Sequence, residues 1–261
     1  MRLTEIRTDP RPVAIARIGV GLATILNSIE AYDILARIAG GGLAMPVFPG
    51  TPEPTLPWLI VYVVLAVAAA VAVTLGWRTE PAALVSVILS LAVFLWDQQT
   101  YSSHRVLATV VMACMIFAMA GTAWSVRPTP GRPTVVWWPQ LLMMTQLSVC
   151  YLFSALSKLN LVFLSGAGLA GWVWIELPRQ FYFVAAVMTV VVELIIAVCL
   201  WFPATRRVAV LFGLGLHLSI VVLMNNETLA LIGFAVTCVS LYPLFLFRPA
   251  LSVARTRAAI A

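Results

Sequence analysis

Eight apolar runs divide this chain, at roughly residues 12–35, 57–77, 81–98, 104–124, 135–158, 181–201, 206–224 and 228–247. Each is long enough, or nearly so, to cross a hydrocarbon core of about 30 Å as a helix. Backbone amides inside lipid must find partners within their own segment, and runs of this length are too long for barrel strands. The expected fold is therefore all-α: a polytopic membrane helix bundle of about eight spans, forming a single domain over residues 1–261. Composition points the same way. With 62% hydrophobic and 10% charged residues, a 261-residue chain has too little polar surface to cover a water-soluble domain. Arg2, Arg7 and Arg11 precede the first run with no small-residue cleavage site after it, so that run reads as a span rather than a leader.

Loop arginines set the expected orientation. With the N-terminus in the cytoplasm, Arg2, Arg7, Arg11, Arg78, Arg127, Arg132, Arg206, Arg207, Arg248, Arg255 and Arg257 fall inside. Arg37, Arg105, Lys158 and Arg179 fall outside, and Arg17 lies within a span. Both termini are thus expected in the cytoplasm, in a bacterial inner or plasma membrane. The net charge of +6 sits in these flanking loops and calls for no nucleic-acid partner. The four cysteines, Cys114, Cys150, Cys199 and Cys238, lie in apolar runs without a CxxC pair, which suits packing rather than disulfides or zinc. No HExxH or ExxH spacing accompanies the two histidines, and no metal site is expected.

Lys158 is the only lysine among the 16 basic residues. Arginine stays charged in essentially any protein setting, whereas burial can make a lysine neutral. Tyr151, Ser154 and Lys158 share a helix face at three- and four-residue spacing. Two readings stand side by side: a lysine snorkelling to the headgroups from a helix end, or an amine base. The orientation brings Glu30, Asp33, Asp97, Tyr101, His104, Arg105, Asn160, His217, Asn225, Asn226 and Glu227 to the same outer leaflet as Lys158, which implies a polar cavity there. Glu30 and Asp33 can instead pair with Arg37, His104 can be a plain loop histidine, and His217 can pack between helices beside Gly213 and Gly215. Arg17 and Glu193 are the polar exceptions of the inner half and are expected to pair. Residues 162–180, with Gly166, Gly168, Gly171, Trp172, Trp174, Glu176 and Arg179, are too broken for a span and read as a re-entrant or interfacial lid after the fifth one.

Three stretches resemble the HTTM family, the transmembrane core shared with vitamin K-dependent gamma-carboxylases. Tyr151-Leu-Phe-Ser-Ala-Leu-Ser-Lys158-Leu-Asn160, followed by Phe163-Leu-Ser-Gly166, is similar to the family's small-residue, lysine-leucine, aromatic-x-x-glycine signature. Asp97-Gln-Gln-Thr-Tyr-Ser-Ser-His104 is similar to its polar turn ending in asparagine-histidine, with Ser103 in the asparagine's place. His217 with Asn225 is similar to its histidine-and-asparagine segment. The resemblance covers about residues 11–247. In the carboxylases the matched lysine is understood to deprotonate vitamin K hydroquinone. Oxygen then turns the quinol into a strong base and finally an epoxide, a glutamate γ-proton is removed, and the carbanion attacks carbon dioxide.

Carried over, the resemblance implies a catalytic pair, Lys158 as base and His104 as its polar partner. It implies a quinone pocket drawn from Asp97, Tyr101, Tyr151, Ser154, Asn160, Gly166, His217 and Asn225. The implied cofactor is a vitamin K-type quinol, menaquinol or phylloquinol. The implied partners are the lipid bilayer, the quinone and a peptide or protein substrate on the outer side. The carboxylases also carry a large extramembrane docking domain. About fourteen residues follow the last span here, so no counterpart is expected and the final substrate stays open. The alternative is a non-catalytic membrane protein on the same scaffold, an immunity factor or assembly partner, with a transporter third.

The orientation is open to direct test. Single cysteines placed at Thr129 and Asn226 are expected to react with an impermeant thiol reagent from the cytoplasmic and the outer side respectively. Labelling of the Asn226 position from the cytoplasm alone would reverse the topology.

Overall fold

The computed structural model describes residues 3–128, 133–225 and 228–247. Among them are ten α-helices: α1 (Arg11–Ala39), α2 (Leu56–Leu75), α3 (Thr79–Trp96), α4 (Ser103–Met115), α5 (Trp138–Ser157), α6 (Leu161–Leu164), α7 (Ala167–Trp172), α8 (Arg179–Cys199), α9 (Arg206–Leu223) and α10 (Thr228–Leu246). Seven of these, α1, α2, α3, α5, α8, α9 and α10, are long and apolar enough to cross a membrane. The fold is an all-α polytopic membrane bundle, and the chain is an integral membrane protein.

α1 is the central post and packs against both α2 and α10. Small residues let the backbones close: Gly19 faces Ser240 and Gly21 faces Thr74, each without room for a side chain. A two-stranded antiparallel ladder, β1 (Arg7–Thr8) with β2 (Val135–Val136), ties the N-terminus to the start of α5. The N-terminal face of the bundle therefore carries the starts of α1, α5 and α9. The opposite face carries the ends of α1 and α9 and the starts of α4, α8 and α10.

The expected span over 104–124 is helical only to Met115. The chain then continues as turns, with positive φ at Met119 and Trp124, and reaches the N-terminal face where the Val126 amide donates to the Leu75 carbonyl. Arg17 explains the break. Its guanidinium donates to the Trp124 carbonyl at 2.6 Å, a group that a helix would otherwise pair internally, and to Ser125 Oγ at 2.5 Å. The expected Arg17–Glu193 pair is thereby overturned, because Arg17 is consumed by this turn and Glu193 lies elsewhere.

α5 is displaced along the bundle. Trp201, two residues past the end of α8, donates its indole N–H to Ser148, the eleventh residue of α5. The displacement is about 15 Å at a rise of 1.5 Å per residue. α5 consequently stops inside the bundle, with its last turn level with Glu193. Glu193 follows the first residue of α8 by fourteen positions, about 21 Å along the axis. Asn160 makes the joint: its side-chain oxygen accepts the Phe163 amide at 2.9 Å, and its amide donates to the Ser157 carbonyl at 2.9 Å. One side chain thus closes α5 and opens α6. α6 and α7 carry the chain back to the opposite face, where the Trp174 amide meets the Leu223 carbonyl. The expected re-entrant lid is this elbow.

Gly166 turns the elbow at φ 74°, and a Cβ there would meet the Tyr182 carbonyl carbon at 2.5 Å. Gly168 and Gly171 have open surroundings, with the nearest atom to a Gly168 Cβ at 3.9 Å. Gly166→Ala is expected to destabilise the protein by about 1–3 kcal/mol through the left-handed backbone and overpacking. Gly171→Ala is expected to be neutral or slightly stabilising. Thermal unfolding in detergent separates the two.

Candidate functional site

Lys158 caps the C-terminus of α5 and does not reach for a headgroup. Its ammonium turns inward to Glu193, at 2.7 Å from Oε1 and 2.9 Å from Oε2. It also donates to Ser154 Oγ at 2.5 Å, and Ser154 in turn donates to Glu193 Oε1 at 2.9 Å. The three side chains form a closed polar triangle between α5 and α8. The Glu193 side chain is 6% exposed and that of Lys158 is 24% exposed. The Phe163 ring of α6 lies 5.9 Å from the amine and covers it.

Ser154 is also part of the wall of a cleft of about 500 Å³ between α4, α5 and α10. Gln146, Cys150, Ser154 and Ser157 line one side, Leu231 and Phe234 another, and Tyr101 and His104 stand at its far end. The cleft is within the usual range for small-molecule sites, about 300–1,000 Å³. Of the expected pair, His104 lines this cleft, whereas Lys158 is joined to its wall only by the hydrogen bond to Ser154.

His104 is held by Glu30 of α1, whose Oε2 lies 3.3 Å from the imidazole Nε2. Arg105 brackets the same carboxylate, with a guanidinium contact of 3.0 Å, and donates to the Thr100 carbonyl at 2.6 Å. Glu30 thus turns to α4, and no ion pair joins it or Asp33 to Arg37 among the described residues. Asp97 supports this corner from below the surface. Its carboxylate accepts the Met45 amide at 2.6 Å and the Gln99 amide at 2.9 Å, fastening the α3–α4 turn to the α1–α2 loop. Asp97 thereby positions Tyr101 and His104 and does not face the cleft.

The remaining expected pocket residues separate from it. Tyr151 donates or accepts at 2.7 Å with His217 Nε2 and at 2.5 Å with the Tyr242 hydroxyl, in a fully buried cluster between α5, α9 and α10. Phe234 stacks edge-on against His217 at 5.2 Å and stands between it and the cleft. The single cavity expected to hold both histidines is therefore two sites: a cleft with His104, and a buried knot with His217. Asn160 is the helix joint, Gly166 the elbow, and Asn225 is tied by its backbone amide to the Trp172 carbonyl at 2.7 Å. Asn226 and Glu227 lie outside the described residues. Glu193 and Tyr242 are the members that sequence reasoning missed as site residues. An acidic residue inside the long apolar run of α8 was the available signal for Glu193, since such a charge needs a partner.

The HTTM domain family matches residues 6–248. The chain belongs to the HTTM family. The match covers all ten α-helices, so the Lys158 triangle, the His104 corner and the elbow all lie within the HTTM domain. No curated protein and no solved structure matches the chain.

The buried knot of this HTTM domain makes its own prediction. Tyr151→Phe leaves His217 Nε2 and the Tyr242 hydroxyl without their shared partner. A buried unpaired polar group costs about 1–3 kcal/mol. A fall in thermal midpoint of the purified protein is expected, and an unchanged midpoint would show that the knot is already satisfied by water.

Proposed function

We propose that the chain is a quinol-dependent membrane enzyme, resembling the vitamin K-dependent gamma-carboxylases, in which Lys158 is the base. The observation that carries this reading is that Lys158 is held inside the bundle by Glu193 and Ser154, beside a cleft, and does not snorkel. A buried ion pair is a poor device for stability, because its desolvation cost rivals its Coulombic gain. An apolar pair of the same volume would hold α5 to α8 at least as well, so the retained charges favour a chemical role.

The cleft suits a quinol head. Its wall offers Phe153 and Phe234 for an aromatic ring, with Ser154, Ser157 and His104 for the ring oxygens. Bound there, a vitamin K-type quinol such as menaquinol or phylloquinol would supply an acidic hydroxyl and, with oxygen, the driving force for a further reaction. A phenolic proton with a pKa of about 10 calls for a neutral amine to take it. Lys158 takes it in this reading, His104 orients the ligand from the other end of the cleft, and Phe163 and the α6–α7 elbow keep water away. A membrane-embedded cleft also gives an isoprenoid tail direct access from the lipid. We place both termini in the cytoplasm and a peptide or protein substrate on the outer side, with carboxylation or another quinol-coupled step following.

Lys158→Arg keeps the charge and can still pair with Glu193, but cannot be deprotonated at working pH. Lys158→Met removes the charge, and combining it with Glu193→Leu avoids stranding a buried carboxylate. All are expected to lose quinol oxygenation by on the order of 10²–10⁴ while expression and monodispersity hold. Near-normal turnover in Lys158→Arg would end the base assignment. Absence of any co-purifying quinone, together with no quinol-dependent oxygen uptake, would favour the non-catalytic scaffold.

A further inference from the structure

We infer that Glu193 is the internal proton store for Lys158, so that the base is the pair and not the amine alone. This rests on the reading that the cleft holds a ligand with an acidic hydroxyl. The geometry carries it. Both carboxylate oxygens of Glu193 lie within hydrogen-bond distance of the Lys158 amine, and Oε1 also takes the Ser154 hydroxyl. The carboxylate is almost fully enclosed, whereas the lysine is a quarter exposed and is hydrogen-bonded to Ser154, which lines the cleft. The thiols of Cys150 and Cys238 also lie within electrostatic reach of Glu193. Among the described residues Lys158 is the one cation in ion-pair distance of Glu193, and Arg17 is bound to the Trp124 turn.

A base must begin with a free lone pair, and an ammonium has none. Releasing its proton to bulk water would leave a lone carboxylate in an apolar interior, which is costly. Passing it to Glu193 leaves an amine and a carboxylic acid, both neutral, which an apolar site tolerates. In this step an Nζ–H bond of Lys158 breaks and an Oε1–H bond of Glu193 forms. The freed lone pair of Lys158 then takes the ligand hydroxyl proton: the ligand O–H bond breaks, its electron pair stays on oxygen, and Lys158 becomes an ammonium again. The net change is a negative charge moved from Glu193 to the ligand oxygen, with Lys158 an ammonium at the start and at the end and a neutral amine between the two transfers. Ser154 keeps hold of Oε1 and Nζ across the exchange and positions both. Arginine cannot make the first transfer, which accounts for the expected failure of Lys158→Arg in terms of this pair.

The test is infrared difference spectroscopy of the full-length protein in nanodiscs, with 1-naphthol as probe and its absorbance reporting ionisation. On binding, wild type is expected to show naphtholate together with a new protonated-carboxyl C=O stretch. That stretch is expected to vanish in Glu193→Gln and to shift in Glu193→Asp, which keeps a carboxylate should the Gln variant fold poorly. Quinol turnover in Glu193→Gln is expected to fall by on the order of 10²-fold, with partial recovery in Glu193→Asp. Naphtholate without a carboxyl band, or full turnover in Glu193→Gln, would overturn the inference and leave Lys158 as sole acceptor. Naphthol that neither binds nor ionises in wild type would instead remove the functional reading on which it rests.

Discussion

Two charges facing each other inside an apolar bundle set the layout of this protein. Lys158 and Glu193 each need the other, because an unpaired charge at that depth costs several kcal/mol. Their contact fixes the register of α5 against α8: Ser154, Lys158 and Glu193 meet only if α5 is displaced toward the N-terminal face. The displacement leaves α5 short of the opposite face, and the chain must then make up the distance with something other than a continuous helix. The Asn160 joint, α6, the Gly166 turn and α7 are that remainder. The cleft between α4, α5 and α10 exists beside the truncated end of α5.

A second arrangement of the same kind operates at the other end of the cleft. Glu30 of α1 gathers His104 and Arg105 from the start of α4, and Asp97 staples the preceding turn through backbone amides. α4 is short because Arg17 draws the following segment out of helix near the N-terminal face. Polar contacts thus mark where three helices stop: Arg17 for α4, Lys158 with the exposed Asn160 for α5, and Asp97 for α3. Apolar packing alone would not choose these end points, since lipid tails do not discriminate between equally apolar helix registers.

The two histidines show how differently neighbouring polar groups can be used. His104 stands at a cleft that a ligand can enter, held by a carboxylate that orients its ring. His217 is buried against Tyr151 and Tyr242 and packed on Phe234, an arrangement that knits α5, α9 and α10; it lines a groove between α1, α9 and α10 and not the His104 cleft. Both lie within the matched HTTM domain, so membership of the family does not by itself assign either histidine a chemical role.

The apolar runs by themselves determined the class and the positions of seven of the eight expected long helices, because backbone satisfaction in lipid admits no other structure for such runs. The uniqueness of Lys158 and the glycine-rich stretch after it also stood in the sequence, and both mark real features, the ion-paired amine and the elbow. Which helices touch was not legible. Charge alone paired Arg17 with Glu193, two residues of the same expected half, whereas packing gave Arg17 to the Trp124 carbonyl and Glu193 to Lys158. The depth of Lys158 was hidden for the same reason: residue count places the end of α5 at a surface, and only its contacts with α8 show that it stops inside. Pairing of buried charges depends on three-dimensional proximity between helices far apart in sequence, and that is the part tertiary structure alone decided.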